Sequence, residues 1–236
     1  MSIVTDVLLN TLGDALTLDV RACERFEIYA SLLSQWNKKF NLTAITEPSA
    51  VAVKHFADSL MLLKYIDVPQ GAKLIDVGTG AGFPGVALLI ARNDIKLTAI
   101  DGTGKKLDFV RMLLNELGLD AEVVHVRAEE AGQSADFREK FDVATARAVA
   151  SLNELCEYCM PFVRIGGTFA PMKGAAGEDE LKLARGALKL LGGEIAACEC
   201  FNLPECGERC VINIKKISQT PPRYPRPSAQ IAKRPL

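Results

Sequence analysis

The sequence predicts an α/β fold, a doubly wound, Rossmann-like, seven-stranded sheet preceded by an N-terminal helical region. Three observations carry this expectation. From Lys73 onward, short apolar strand-like runs alternate with helical stretches, the pattern of a mainly parallel sheet covered on both faces. A glycine-rich turn, Asp76-Val77-Gly78-Thr79-Gly80-Ala81-Gly82, joins the first of these runs to an apolar helix. The last two strand-like runs follow one another with only a loop between them, so they pair antiparallel.

The elements follow in order. An apolar stretch from Val7 to Leu18 opens the chain. Next, Phe26, Tyr29, Leu33, Trp36 and Phe40 recur at steps of three and four, one apolar stripe on a helix that Asp19 caps. A further helix spans about Ser49 to Tyr65, and no strand signal interrupts residues 1–66, the N-terminal helical region. Strands are expected at Lys73–Val77, Lys96–Asp101, Ala121–Val126, Phe141–Thr145 and Thr168–Met172, then at Glu194–Phe201 and Arg209–Ile217. Among the intervening helices, Lys105–Leu117 places Leu107, Val110, Leu114 and Leu117 on one face, and Gly118 stops it. Residues 67–217 therefore form the sheet domain. Residues 218–236 form a basic, proline-rich tail, expected to be extended because Pro221, Pro222, Pro225 and Pro227 suit neither regular element.

With 28 basic and 29 acidic residues the formal net charge is −1, which excludes a globally basic surface and makes any nucleic-acid contact local. The most apolar run, Pro84 to Ala91, falls well short of the roughly 18 residues a membrane span needs. No basic leader precedes it, so a cytoplasmic protein without a membrane partner is expected, and a monomer. Seven cysteines, Cys23, Cys156, Cys159, Cys198, Cys200, Cys206 and Cys210, are an odd number, read as reduced thiols rather than a disulfide framework. Cys156 and Cys159 have one zinc-like spacing inside an expected helix, but no second C-x-x-C matches it, so no metal is expected.

The glycine turn is a ligand signal with two readings. Gly80, Gly82 and Gly85 fit the dinucleotide pattern G-x-G-x-x-G, which alone would admit a dinucleotide-dependent oxidoreductase. Asp76, two residues before Gly78, argues against it, because a carboxylate there would repel a pyrophosphate. The same carboxylate attracts the ammonium and sulfonium of S-adenosylmethionine, directly or through the loop. Asp101, ending the second strand, is placed to accept from both ribose hydroxyls. Ala128 and Glu129, after the third strand, stand where a loop covers an adenine.

After the fourth strand the chain reads Thr145-Ala146-Arg147-Ala148, without the N-P-P-Y turn associated with methylation of an exocyclic adenine nitrogen. Nor is there a cysteine at that edge to attack a pyrimidine carbon. A guanine N7 needs neither, since its lone pair lies in the ring plane and carries no proton. Positioning then suffices, with no general acid or base, and Arg147 is a suitable donor to a phosphate or base edge. From Arg209 to the C-terminus, Arg209, Lys215, Lys216, Arg223, Arg226, Lys233 and Arg234 occur with no acidic residue. That makes the tail the local basic patch, with Tyr224 as a stacking surface for RNA. A non-catalytic RNA-binding protein on the same fold is the alternative.

Together, Asn41-Leu42-Thr43-Ala44-Ile45, His55-Phe56-Ala57-Asp58-Ser59-Leu60, the turn from Asp76 to Gly85, Arg147-Ala148-Val149-Ala150-Ser151-Leu152, Met172-Lys173-Gly174 and Tyr224-Pro225-Arg226 resemble the glucose-inhibited division protein B family. That resemblance implies a methyltransferase sheet and transfer from S-adenosylmethionine to guanine N7 in small-subunit ribosomal RNA, free or in a ribosomal particle. It implies that Gly78, Phe83, Ala128, Glu129 and Arg147 contact or border the cofactor, and that His55 and Arg209 lie on the RNA side. The chain departs from the family pattern at Gly102, usually serine, at Cys210, usually histidine, and at Pro227-Ser228-Ala229-Gln230, usually more basic and glycine-bearing.

Overall fold

The computed structural model describes residues 2–236. Its centre is a seven-stranded sheet in the order β3-β2-β1-β4-β5-β7-β6, built from β1 (Lys73–Val77), β2 (Lys96–Asp101), β3 (Glu122–His125), β4 (Phe141–Arg147), β5 (Val163–Gly174), β6 (Gly193–Leu203) and β7 (Gly207–Lys216). β1 to β5 run parallel, while β7 pairs antiparallel with both β5 and β6. Every expected strand is present. β5 is much longer than its apolar signature because the strand starts at Val163 and passes through exposed Arg164, Ile165 and Gly166, where its register with β4 shifts, before the apolar run begins.

Strand alternation divides the core in two. Leu74 and Val143 face a layer formed by the N-terminal helices, α6 (Gly85–Ala91) and α7 (Gly104–Leu117). Ile75, Val77, Ala144 and Ala146 face α8 (Ala128–Gln133), α9 (Leu152–Cys159) and α10 (Gly177–Leu191).

The N-terminal helices share the sheet's core. In α1 (Ile3–Leu12) and α2 (Val20–Phe40), Leu8, Phe26, Tyr29 and Leu33 are buried in the same cluster as Leu74 and Phe109. Asp19 caps α2 by accepting from the Ala22 amide at 2.7 Å. The next helical run is broken by a wider turn. α3 (Pro48–Val51) passes into a π-helical turn, Ala52–Ala57, followed by α4 (Asp58–Leu60) and α5 (Leu62–Tyr65). Such π turns often accompany functional positions.

Two expectations fail. The tail is not wholly extended: after Pro227 the chain forms α11 (Ser228–Lys233), because no proline falls between Ser228 and Arg234 and Ile231 turns into the core. Nor are all cysteines reduced, since Cys200 and Cys210 are disulfide-bonded. They face each other in register on β6 and β7 with Cα atoms 4.2 Å apart, a proximity that sequence spacing does not reveal. The other five cysteines are free. Among the described residues no helix is long and apolar enough to cross a membrane.

Candidate active site

In an open α/β sheet, the crevice forms at the carboxyl ends of the strands where the order reverses, here between β1 and β4. The glycine turn leaves β1 at this point. Asp76, fully buried, holds the turn from below: its Oδ2 accepts from Thr79 Oγ1 at 2.6 Å and from the Gly85 amide at 2.9 Å. Its Oδ1 is buried without a partner. Burial raises this carboxyl to about 6, outweighing the opposing hydrogen bonds from Thr79 and Gly85.

Gly78 has φ +72°, and a Cβ there would fall 2.6 Å from a Val149 methyl, so only glycine lets β1 and the β4 loop approach so closely. Helix α2 braces the far side of the turn. Tyr29 donates its hydroxyl proton to the Ala81 carbonyl at 2.6 Å, and its ring stacks on Phe83 with centroids 5.0 Å apart. Asp101 ends β2 beside the turn. Its Oδ2 accepts from the Gly80 amide at 2.9 Å and its Oδ1 from the Thr103 amide at 2.7 Å, each oxygen keeping a lone pair for a ligand.

A cleft of about 410 Å³ opens above these residues, within the size range of small-ligand sites. Of the residues expected at the cofactor, Gly78, Asp101, Ala128 and Glu129 line it. Asp76, Gly80, Phe83 and Arg147 do not, the first three because they form the support beneath it. Val149, Tyr158 and Ser228 also line the cleft; Val149 and Ser228 were quoted within longer segments of the sequence, but none of the three was given a role. Val149 is an exposed apolar side chain at its mouth.

A second cleft, of about 340 Å³, lies on the other side of Ala148, which lines both. Ala148 has φ +56°, a conformation costly for a residue with a Cβ and typical of functional turns. Lys54, His55, Asp58, Arg147, Cys206 and Arg209 line this second space. Arg147 therefore borders this second cleft rather than the first. It donates from Nη1 to Asp58 Oδ2 at 2.9 Å, and to the carbonyls of Lys54 and His55 in the π turn at 3.3 Å. Its guanidinium lies 5.0 Å from the centre of the Phe83 ring. Arg209 grips the same Asp58, which sequence reasoning quoted in a motif but gave no role.

His55 packs its ring on Phe83, with centroids 4.6 Å apart. Because Arg147 can only donate, its Nη2 contact at 3.3 Å makes His55 Nδ1 an acceptor. Nε2 then carries the proton and donates to Thr43 Oγ1 at 2.8 Å. Burial, assisted by Arg147, lowers His55 to about 4, so its ring is neutral at physiological pH.

The tail arginines are elsewhere. Arg226 forms an ion pair with the fully buried Glu157 on α9 at 2.6 Å, while exposed Arg223 lies over the Tyr224 ring. Tyr224 is buried and so offers no open face for a base. Lys216 is buried as well, donating to the Met160 carbonyl and to Thr220. The basic stretch is thus mostly an internal clasp. A larger cavity, about 990 Å³, lies at the amino edge of the sheet near Lys73, Lys96 and Lys140, remote from the glycine turn.

Residues 22–208 match the GidB family, described as rRNA small subunit methyltransferase G. The chain is 45% identical over 223 residues to the ribosomal RNA small subunit methyltransferase G of Geobacillus sp. (strain WCH70), covering 94% of each chain. It is 44% identical over 230 residues to the protein of the same name from Lachnoclostridium phytofermentans, covering 97% of this chain and 94% of that one. Among solved structures, a SAM-dependent O-methyltransferase from Thermotoga maritima superposes with a TM-score of 0.53 at 17% identity, covering 80% of this chain and 72% of its own. A putative methyltransferase from Bacillus halodurans gives a TM-score of 0.53 at 15% identity, over 69% of this chain and 100% of its own. Identities this low speak for the fold alone.

Proposed function

The chain belongs to the GidB family, rRNA small subunit methyltransferase G, and from that membership we propose that it transfers a methyl group from S-adenosylmethionine to N7 of a guanosine in small-subunit (16S) ribosomal RNA. The observation that carries this reading is the pair of clefts meeting at Ala148, one lined by Asp101, Ala128 and Glu129, the other by Lys54, Arg147 and Arg209 with Asp58 and Glu205.

The residues of the first cleft fit S-adenosylmethionine. Asp101 offers a free lone pair on each oxygen to ribose hydroxyls, and Ala128 and Glu129 border the position of a base. The unpartnered Oδ1 of Asp76 supplies negative potential beneath the turn for a cationic ligand. When bound, the cofactor supplies an electrophilic methyl group on a sulfonium.

The second cleft takes the guanosine. N7 attack asks for no proton removal, and the groups here are already engaged: His55 Nδ1 accepts from Arg147, and Asp58 accepts from both arginines. Lys54 and Arg209 face the cleft as donors to phosphate or to the base edge. The fixed Asp58–Arg147–Arg209 cluster holds these donors without reorganisation, so alignment supplies most of the catalysis.

Incubation with labelled S-adenosylmethionine and either naked unmethylated small-subunit RNA or small-subunit particles, followed by mapping of the label, tests the proposal. Label on guanine N7 is expected. Label on another atom, or on no RNA, refutes it.

A further inference from the structure

On the face of β6 and β7 that packs against α10, three sulfurs converge. Cys198 and Cys200 alternate along β6 and so point to the same side, and Cys210 faces Cys200 from β7. The Sγ atoms of Cys198, Cys200 and Cys210 all lie within 4.8 Å of one another. A fourth donor adjoins them, because Glu178 in the first turn of α10 brings Oε1 to 3.9 Å from Cys200 Sγ. With metal–sulfur bonds of about 2.3 Å, tetrahedral coordination puts sulfurs roughly 3.8 Å apart, so small side-chain rotations suffice to bring these donors onto one ion.

We propose that, in the reduced protein, Cys198, Cys200, Cys210 and Glu178 form a binding site for one thiophilic divalent cation of the zinc class. Three soft sulfur donors and a carboxylate match that preference rather than that of magnesium or calcium, which take oxygen. The site joins α10, otherwise held to the sheet by apolar packing, to the β6–β7 ladder, and it lies outside both clefts. Its Cys210 neighbours Arg209, so the ion would stiffen the strand that presents Arg209 to Asp58.

The disulfide between Cys200 and Cys210 is the two-electron-oxidised state of the same cluster. A phosphine reductant opens it: the S–S bond breaks, water supplies oxygen to form the phosphine oxide, and two thiols result. Cation binding then displaces the protons of the three thiols to solvent. The sequence hid this site because its ligands come from a strand i, i+2 pair and a cross-strand partner, with no C-x-x-C spacing.

The experiment uses the full chain, reduced with a phosphine, loaded with zinc and desalted. One zinc per chain is expected, with affinity falling on the order of tenfold or more in Cys198→Ser and Cys210→Ser and unchanged in Cys23→Ser. Reduced protein that binds no zinc, or Cys198→Ser that binds as well as the parent, overturns the proposal. Alkylation of the unmutated protein gives a second readout that does not depend on variant folding. Zinc should slow labelling of Cys198, Cys200 and Cys210 but not of Cys23 or Cys206, and equal labelling with and without zinc overturns it.

Discussion

Arg209 holds the carboxylate of Asp58 with two nitrogens, Nε at 2.8 Å and Nη2 at 2.9 Å, across 151 residues of chain. Arg147 takes the same carboxylate from the other side. A single buried anion therefore fixes two cations from different strands, and removing it leaves both uncompensated. Asp58→Ala is expected to cost about 3 kcal/mol in urea denaturation, the low end for a broken buried pair because Arg209 is partly exposed. RNA affinity should fall while S-adenosylmethionine affinity holds. An equal loss of both ligands would refute the division between the clefts.

Asp101 acts on the other cleft. Asp101→Ala removes two charge-assisted bonds that order the turn, at Gly80 and Thr103, together with the acceptors facing the cleft. A loss of about 1.5–3 kcal/mol corresponds to roughly a ten- to hundredfold rise in the cofactor Kd. Calorimetric titration measures this, and filter binding should show RNA affinity unchanged.

The tail behaves as a structural clasp. Arg138 donates to the carbonyls of Thr220, Pro221 and Tyr224, and Arg226 neutralises Glu157, which solvent does not reach. Arg226→Ala should therefore destabilise the protein by about 3–5 kcal/mol, whereas Arg223→Ala, at an exposed position, should stay within about 0.5 kcal/mol. Thermal unfolding of the two variants decides it. Weakened RNA binding by Arg226→Ala with unaltered stability would restore the role that the tail's charge suggested.

The contrast between these residues shows what was legible in the sequence. β1 and β2 were predicted to the residue, because both are apolar on two faces and each closes on an aspartate, Asp76 one residue before the end of β1 and Asp101 at the end of β2, ahead of a glycine. The glycine turn was legible for the same local reason. Basic residues in the tail were visible, but not their partners, since Glu157 and Arg226 meet only through the fold, 69 residues apart. Arg147 was expected at the cofactor on the family resemblance, whereas its own residue type named only a donor, and it borders the second cleft. That position was set by the π turn at His55, which has no periodic signature. Cys200 and Cys210 were hidden likewise, because strand register, not spacing, brings them together.

Asp76 makes the glycine turn sensitive to pH. Its carboxyl titrates at about 6 in the folded protein against a usual 3.8, so between these values the folded state binds more protons than the unfolded one. Its contribution to stability is accordingly favourable at low pH and lost as pH rises through about 6. His55 opposes it. With a folded value of about 4 against 6.5, its contribution is present above 6.5 and lost as pH falls toward 4. The two trends overlap in the parent protein, but the difference between the parent and Asp76→Asn isolates the aspartate, because His55 is common to both. Relative to Asp76→Asn, the parent should gain melting temperature as pH drops from 7 to 5. Cofactor binding should run the other way, since a sulfonium and an ammonium favour the ionised carboxylate. Below pH 6 the parent's Kd for S-adenosylmethionine should rise, by up to about tenfold per pH unit, while Asp76→Asn binds weakly and almost independently of pH. A parent Kd that stays flat between pH 5 and 7 would show that Asp76 only shapes the turn and that its charge does not reach the ligand.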